Sequence, residues 1–418
     1  MPKLLQFTIG NYRSFNDERT FTFIPTSIQD EPKESVGSTW KYRFSTVSAV
    51  YGANSSGKSN LVRAISTMSY IVNHSVKLND NEVLTYDPFL LSSSNADDKP
   101  MHFEIVYLND SGQRIRYGFE NNSVQIVREW LFVTSKTEEE ILFVRDEEGI
   151  AVNDELFPEG VDREEMTNDN RLFLSLVAQL GGPVSKGVMG FFQKDCNVLS
   201  GLHTFGFRNY TKHKFKQQDH VADEAMTFFR HLQLGFSDID VEEQKVDLSE
   251  VPDDIRPRFS STRLETFSSH NVYDAGGKVT GKRKLSFDNV ESDGTQKIFE
   301  LAAPIFDTLN RGSILVIDEL DAKMHPLISQ QLVRLFTSEE TNPNHAQLLF
   351  TTHDTNLLSA KLMRRDQIWF TEKDSTEATD LYRLTDIVFA DGTKPRGDGN
   401  LEKNYIKGRY GAIPFITY

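Results

Sequence analysis

The segment that most restricts the fold is Gly52–Ser59, with the sequence GANSSGKS. It follows the apolar run Thr46–Tyr51, which predicts a short buried β-strand. From Lys58 onward apolar residues recur at helical spacing, so a helix is predicted to begin there. A glycine-bearing loop between a buried strand and a helix turns its backbone N–H groups toward one point, where they can bind phosphate groups. The sequence therefore predicts an α/β fold with a phosphate-binding loop.

Side chains of the same loop are candidates for contact with a nucleotide and its metal ion. Lys58 would reach the β- and γ-phosphates, and the Ser59 hydroxyl would ligate Mg²⁺. A chance match to GxxxxGK[ST] on an ordinary turn is the alternative, but the flanking strand and helix favour phosphate binding. The residues of this segment predicted to bind nucleotide are Gly52, Asn54, Ser55, Ser56, Gly57, Lys58, Ser59 and Asn60.

Two acidic residues follow a second apolar run. Ile314–Ile317 predicts a buried strand, and Asp318 and Glu319 come at its carboxyl end. Asp318 is predicted to hold Mg²⁺ through water, and Glu319 to polarise an attacking water molecule. An exposed strand end that carries two acids by chance is the alternative.

A histidine follows the third apolar run, Gln347–Thr351, within the sequence TTHD. His353 is therefore placed to sense the γ-phosphate and the attacking water. A lone histidine is usually structural, but its position after a third sheet strand favours a functional role.

A fourth motif, Glu291–Lys297 (ESDGTQK), precedes a predicted helix over Gly294–Leu309. A serine and a glycine at a helix N-terminus form a second anion-binding site. Taken alone, the segment would be interpreted as an ordinary helix N-cap with an acidic first turn.

Composition limits the classes of partner and the cellular compartment. The formal net charge of −15 argues against a general polyanion binder. The one cysteine, Cys196, excludes an internal disulfide, favours a reducing cytoplasm and is predicted to be a core residue. Because the chain has no apolar run of about 18 residues and no signal-peptide pattern, we expect a cytoplasmic protein without a membrane segment.

Two basic clusters are weaker candidates for nucleic-acid contact. Basic residues with interleaved aromatic residues can bind nucleic acid, although such clusters more often form a solvent-exposed face of the protein. The first cluster comprises Arg208, Lys212, Lys214 and Lys216 with Phe207, Tyr210 and Phe215, and the second comprises Lys278, Lys282, Arg283 and Lys284.

The chain is predicted to divide into three parts. Residues 1–150 form the first half of a head domain that carries the phosphate-binding loop, and they include a meander of strands over His102–Asp146. Residues 151–284 form an inserted helical or lid region, and residues 285–418 form the second half of the head. The alternation of apolar strands and helices in the last part predicts a parallel sheet covered on both faces. The helices predicted in the middle part are Arg171–Leu180, Val184–Gln193 and Asp223–Leu234.

Together these motifs resemble the ABC-type ATPases of the SMC, RecF and OLD clade. The opening Phe7–Phe15, FTIGNYRSF, is similar to the start of those proteins. More narrowly, the chain resembles the short AAA family 15 ATPases of bacterial abortive-infection and anti-phage systems, of the AbiL and PARIS (AriA-like) kinds. The resemblance covers residues 1–150 and 285–418 well and the middle only loosely.

The resemblance implies a site shared between two heads, with ATP and Mg²⁺ as ligands and a homodimer or higher homo-oligomer as the assembly. Ser292, Gly294 and Thr295 would act in trans, Asp321 would be the D-loop aspartate at the dimer seam, and Arg13 would lie near the nucleotide. The sequence departs from the family pattern twice. The signature is ESDGT rather than LSGGQ, and no glutamine lies between Lys58 and Gln113 to serve as the Q-loop residue. Tyr86–Phe89 is the candidate substitute for that glutamine.

The resemblance also implies a function, as a sensor and regulator of a separate nuclease effector in an anti-phage system. A RecF-like ATPase that clamps DNA is the alternative, which the acidic charge and the lack of a sustained heptad repeat make less favourable. A transporter motor fits the opening strand and the signature poorly. The basic C-terminal tail could dock a partner or pack on the head, and its residues in question are Arg396, Lys403, Lys407, Arg409 and Tyr410.

Overall fold

The computed structural model describes residues 1–39, 41–92, 99–200, 205–246, 262–397 and 399–414. The chain divides into two compact units. The first unit comprises Met1–Ser200, Leu309–Leu320 and Gln330–Tyr418, and the second comprises Gly201–Thr308 and Asp321–Ser329.

Both units contain strands and helices. In chain order the strands are β1 (Lys3–Gly10), β2 (Arg19–Thr22), β3 (Val36–Ser38), β4 (Arg43–Ser45), β5 (Val47–Gly52), β6 (Met101–Leu108), β7 (Arg114–Asn121), β8 (Ile126–Thr134), β9 (Glu140–Asp146), β10 (Gly149–Val152), β11 (Cys196–Ser200), β12 (Asp238–Lys245), β13 (Thr262–Tyr273), β14 (Val279–Ser286), β15 (Ile314–Asp318), β16 (Gln347–Thr351), β17 (Ile368–Lys373) and β18 (Thr379–Arg383). The helices are α1 (Lys58–His74), α2 (Phe173–Gln179), α3 (Pro183–Gly190), α4 (Phe205–Lys216), α5 (His220–Leu232), α6 (Phe287–Val290), α7 (Asp293–Arg311), α8 (Pro326–Thr337) and α9 (Leu401–Ile406).

An antiparallel sheet of seven strands occupies part of the first unit, in the order β10-β9-β8-β7-β6-β1-β2. The predicted meander over His102–Asp146 is confirmed, since β6 to β9 pair antiparallel in sequence order. The strand that begins the chain, β1, pairs with β2 on one side and with β6 on the other.

A second sheet in the same unit has the order β11-β15-β16-β5-β17-β18. Strands β11, β15, β16, β5 and β17 are parallel, and β18 is antiparallel at the edge. The predicted parallel sheet is therefore confirmed. Because parallel strands end at the same edge, the carboxyl ends of β5, β15 and β16 lie side by side.

Helix α1 packs into the hydrophobic core that includes residues of both sheets. Leu61, Ala64, Ile65 and Met68 are each at most 1% exposed, at the helical spacing that the sequence predicted. Burial of one such leucine, isoleucine or methionine contributes roughly 1.5–3 kcal/mol, which fixes the start of α1 beneath the phosphate-binding loop.

The second unit contains helices and a three-stranded antiparallel sheet, β12-β13-β14. Its limits differ from the predicted insertion, 151–284. Residues 151–200 belong to the first unit, where β11 pairs with β15, and residues 285–308 belong to the second. The sheet was not predicted because its strands lack apolar alternation: residues 279–284 of β14 are exposed on both faces.

The helices predicted in the middle of the chain are present as α2, α3 and α5, with bounds shifted by one to three residues. Cys196 is buried, as predicted, and its burial raises the pKa of the thiol to about 12. No helix among the described residues is both long and apolar enough to cross a membrane.

Candidate nucleotide-binding site

The backbone of the loop between β5 and α1 adopts conformations and close contacts that require glycine. Ser55 and Gly57 have φ values of 64° and 112°, in the left-handed region. A Cβ atom on Gly57 would lie 2.3 Å from Thr379 Oγ1, and one on Gly52 would lie 2.5 Å from the Thr371 carbonyl oxygen. Only glycine therefore fits at positions 52 and 57 without displacing the neighbouring strands.

Lys58 lies over this loop and is 5% exposed. Its Nζ atom donates hydrogen bonds to the carbonyl oxygens of Gly52, at 2.8 Å, and Ala53, at 2.9 Å. These bonds hold the ammonium group where a phosphate would enter the loop. A bound phosphate can replace the carbonyl oxygens as the acceptor and gives a stronger, charge-assisted hydrogen bond.

The ends of three strands bring the acidic pair to the loop. Ser59 Oγ lies 3.1 Å from Asp318 Oδ1, at the end of β15. Thr351, at the end of β16, donates from Oγ1 to Asp318 Oδ1 at 2.6 Å and accepts from the Glu319 backbone N–H at 2.7 Å. Glu319 itself has a φ of 56°. One threonine hydroxyl thus orients both acidic residues.

The Ser59 hydroxyl and the Asp318 carboxylate fit Mg²⁺, which prefers oxygen ligands and retains several waters. Since Thr351 bonds to Oδ1, the second carboxylate oxygen of Asp318 remains for the metal or its water. In the described part of the chain, no group of three or more His, Cys, Asp and Glu side chains could hold a metal ion. At sites with one or two protein ligands, Mg²⁺ usually takes phosphate oxygens and water as its other ligands.

An open cavity of about 610 Å³ lies over the loop. This volume is within the usual range for small-molecule sites. Glu319 and His353 both line it, together with the phosphate-binding loop. The complete lining is Ser14, Asn54, Ser55, Ser56, Gly57, Lys58, Ser59, Asn60, Arg63, Glu319, His353 and Lys373.

Ser14, Arg63 and Lys373 line the cavity but were not predicted from the sequence. Ser14 Oγ accepts a hydrogen bond from Asn60 Nδ2 at 2.8 Å and lies 2.8 Å from Thr379 Oγ1. It therefore connects the opening motif of the chain to α1 and β18. Its place beside Arg13 in FTIGNYRSF is the one sequence signal that could have identified it.

Arg13 does not line the cavity. Its backbone is in the left-handed region, with a φ of 50°. The guanidinium Nη2 donates to Asp87 Oδ2 at 2.7 Å, and the backbone N–H donates to the Asp87 carbonyl oxygen at 2.8 Å. Asp87 belongs to Tyr86–Phe89, the candidate substitute for the Q-loop glutamine, so these two motif segments are joined. Contact of Arg13 with a nucleotide stays a prediction.

In the second unit, Ser292 caps helix α7. Its Oγ accepts from the Thr295 backbone N–H at 3.2 Å and lies 3.0 Å from Thr295 Oγ1. The ordinary helix N-cap, which was the alternative interpretation of this motif, is thus present. The Ser292 side chain is exposed. Packing within the second unit separately explains the glycine at position 294, because a Cβ atom there would lie 2.8 Å from the Lys323 carbonyl oxygen.

Asp321 has a buried carboxylate oxygen, Oδ1, that makes no hydrogen bond with any residue that the structure describes. A buried acceptor without a partner costs about 1–3 kcal/mol.

Four of the eight cations in the two basic clusters have carboxylate partners among the described residues. Lys214 pairs with Asp219 at 2.8 Å, and Lys284 pairs with Asp240 at 3.2 Å. Arg208 pairs with Asp288, and Lys216 with Glu243. These contacts favour the solvated-face interpretation for the cluster on α4.

The C-terminal tail packs on the first unit. Tyr410 is 2% exposed, and its carbonyl oxygen accepts a hydrogen bond from the Tyr382 hydroxyl at 2.9 Å. The Tyr405 hydroxyl donates to the Ala412 carbonyl oxygen at 3.0 Å. Of the two alternatives for the tail, packing is confirmed for these residues, while Lys403 and Lys407 remain exposed.

Comparison with known families gives a match over most of the chain. A model of the family described as "AAA domain, putative AbiEii toxin, Type IV TA system" matches residues 47–164 and 207–359. These ranges make up more than half of the chain and include the phosphate-binding loop, the acidic pair and His353. No curated protein matches the chain. The narrower resemblance to AAA family 15 stays a prediction.

Several solved structures are similar to this one at low identity. The SMC head domain from Thermotoga maritima is 13% identical, with 91% of this chain and 99% of that chain covered and a TM-score of 0.44. The recombination mediator protein RecF in its ATPrS form is 10% identical, with coverage of 91% and 98% and a TM-score of 0.36. Its ATP form is 12% identical, with the same coverage and a TM-score of 0.37.

Proposed function

Because the chain belongs to the family described as "AAA domain, putative AbiEii toxin, Type IV TA system", we propose that it is an ABC-type ATPase that regulates a partner nuclease in an anti-phage system. The observation that supports the ATPase part of this proposal is the contact of Ser59 with Asp318. Thr351 bonds to the Asp318 carboxylate and to the backbone of Glu319, so it holds the two acidic residues together. A metal-ligand pair beside a general base, at the mouth of a phosphate-binding loop, is suited to nucleotide hydrolysis.

Each predicted residue has a role in this proposal. Lys58 and the loop N–H groups hold the phosphates, and Ser59 and Asp318 hold Mg²⁺, which neutralises charge on the phosphates. Glu319 polarises the attacking water, and His353 lies at the same cavity to contact the γ-phosphate. Hydrolysis gives ADP and phosphate.

Two copies of the chain complete the site in this proposal. Ser292 is exposed, so it is free of the packing that would prevent contact with a second copy. The unpaired Oδ1 atom of Asp321 finds its donor across the seam. ATP and Mg²⁺ then bridge two heads, and hydrolysis releases them.

The regulatory part rests on the family match and on the motif resemblance to anti-phage ATPases. It is tested by isolating the Glu319→Gln protein from its native host in the presence of ATP and identifying the bound protein and nucleic acid by mass spectrometry. A nuclease that co-purifies at a fixed ratio supports the proposal. A monomer without a protein partner contradicts it.

A DNA-clamping ATPase is the second candidate function. One observation favours it: Lys278, Lys282 and Arg283, on or next to the exposed strand β14, form no ion pair with residues in the described ranges. DNA recovered in that experiment without a protein partner, and retained at physiological salt only with ATP, would support the clamp instead.

A further inference from the structure

A second cavity lies in the first unit, away from the phosphate-binding loop. It has a volume of about 600 Å³ and is formed by the segment before α9 together with the tail. None of its residues lines the nucleotide cavity. We call it the tail cleft, and its lining residues are Phe389, Ala390, Asp391, Thr393, Lys394, Pro395, Arg396, Gly399, Asn404 and Arg409.

Cations dominate the charge of the tail cleft. Lys394, Arg396 and Arg409 line it and are exposed. Neither Lys394 nor Arg409 forms an ion pair with a residue in the described ranges. One acidic residue, Asp391, also lines the cleft, and its Oδ1 accepts hydrogen bonds from the Thr393 backbone N–H and hydroxyl at 3.0 Å and 2.6 Å. Three cations therefore face one carboxylate. A concentration of positive charge on a chain with a net charge of −15 indicates a local anion site.

Part of the tail cleft is apolar, and hydrogen bonds hold that part in place. Phe389, Ala390 and Pro395 line it. The Phe389 backbone N–H donates to the Thr393 carbonyl oxygen at 2.8 Å, which closes the turn that carries them. Arg365 donates to the Pro395 carbonyl oxygen and is itself paired with Asp30 at 2.7 Å. An aromatic ring beside cations suits a ligand with a flat ring and a negative group.

The tail connects this cleft to the nucleotide site. Helix α9 carries Asn404, which lines the cleft, and Glu402, which accepts a hydrogen bond from the Thr355 hydroxyl at 2.8 Å. Thr355 lies two residues after His353. Farther along the tail, Ile413 and Pro414 line a cavity of about 260 Å³ together with Ala53 and Asn54 of the phosphate-binding loop.

We propose that the tail cleft is a second, regulatory site that binds a nucleotide through its 5′-phosphate. Lys394, Arg396 and Arg409 bind the phosphate, and Phe389 contacts the base. The tail transmits occupancy of the cleft to the phosphate-binding loop and to the segment after His353. The site is independent of the ATPase proposal, because AMP binding to it does not require Lys58.

The test uses AMP, which lacks the β- and γ-phosphates that Lys58 would contact. Binding is measured by calorimetry for the wild type, Lys58→Ala and the double variant Lys394→Ser/Arg409→Ser. The control is Lys403→Ser/Lys407→Ser, which removes the same charge from exposed tail residues outside the cleft lining. We expect AMP to bind the wild type, Lys58→Ala and the control alike, and the cleft variant to bind about tenfold or more weakly.

Further measurements identify the ligand of the tail cleft and test whether its binding affects the nucleotide site. Inorganic phosphate should bind more weakly than AMP, and Phe389→Ala should weaken AMP but not phosphate. A 5′-phosphorylated oligonucleotide that binds more tightly than AMP would assign the site to a nucleic-acid end rather than to a free nucleotide. AMP should change the KM for ATP in the wild type and not in the cleft variant. The proposal is overturned if AMP does not bind, if Lys58→Ala abolishes binding, or if the control loses as much affinity as the cleft variant.

Discussion

The Ser59 hydroxyl oxygen lies 3.1 Å from Asp318 Oδ1, although 259 residues separate them in the chain. The contact arises because β5 and β15 are parallel strands of one sheet, with β16 between them. Thr351, at the end of β16, bonds to Asp318 and to the Glu319 backbone. The Ser59 hydroxyl, the Asp318 carboxylate and the candidate general base Glu319 are therefore brought together, and Ser59 and Glu319 line one cavity. The predictions for Glu319, Lys58 and Thr351 depend on that arrangement.

Replacing Glu319 with glutamine should lower the rate of ATP hydrolysis by roughly 10²- to 10⁴-fold, the range for loss of a general base. ATP binding and ATP-driven dimerisation should persist, since glutamine keeps the size of the side chain and the backbone contact to Thr351 remains. Phosphate release measures the rate, and gel filtration with ATP measures the dimer. Near-normal turnover would contradict the role assigned to Glu319.

Replacing Lys58 with alanine should abolish ATP binding, because the loop loses the cation held at its mouth by Gly52 and Ala53. Titration calorimetry with ATP and Mg²⁺ measures the affinity. Arg63→Ala is a matched control, since Arg63 is an exposed cation that lines the same cavity outside the loop. Retained ATP binding in Lys58→Ala would count against the phosphate-binding loop.

Replacing Thr351 with valine should lower kcat by roughly 10- to 10²-fold, the scale for small misplacements of catalytic groups. The side chain keeps its shape but no longer orients Asp318 or the Glu319 backbone. The KM for ATP should change less than kcat, because the phosphate-binding loop is untouched. Thr352→Val, at a buried neighbouring threonine whose hydroxyl bonds to the Asp354 backbone, is the control and should affect kcat less.

How much of this site the sequence predicted depends on whether a contact is local. The loop and the two acidic residues follow apolar runs directly, so their strand-end positions could be predicted without knowing the strand order. The contacts of Ser14 with Thr379, 365 residues away, and of Arg13 with Asp87 depend on long-range pairing. No local pattern carries that information.

The same argument applies to the fold. Strands β5, β15 and β16 are apolar runs because both faces of the sheet are buried, and the sequence predicted all three. Strand β14, VTGKRKLS, is exposed on both faces over residues 279–284, so it has neither an apolar run nor alternation. Strand β11 lies between a π-helical turn and residues outside the described ranges, and its pairing with β15 places it in the first unit.

Stability should depend on pH through Lys3, which is 5% exposed. Burial lowers the pKa of its ammonium group to about 8, despite its hydrogen bonds to the Gly312 and Asn344 carbonyl oxygens. Between pH 8 and the unfolded value of about 10.4 the unfolded chain binds more protons at this residue, so its contribution to stability increases with pH in that window.

Lys3→Met tests this assignment, because methionine fills similar space without a charge. The free energy of unfolding of the wild type relative to Lys3→Met should increase by about 1–3 kcal/mol from pH 7.5 to 10. Chemical denaturation at several pH values measures the difference, and other lysines cancel in the comparison. A difference that does not change with pH would contradict the lowered pKa.

Mixing two inactive variants should restore activity if Ser292 acts in trans. Lys58→Ala removes the phosphate-binding side of the site, and Ser292→Arg blocks the signature side while leaving the exposed helix start in place. A heterodimer of the two has one intact composite site, because both lesions fall on the other site. In a 1:1 mixture half of the dimers are mixed, so about a quarter of the wild-type ATPase rate should return.

Each variant measured alone is the control for this mixing experiment. If the mixture stays as inactive as its components, either Ser292 acts within its own chain or both sites must fire together. Tandem-fused heterodimers separate these outcomes. In the first case no intact site remains, and in the second case one intact site remains that binds ATP between two heads without hydrolysing it.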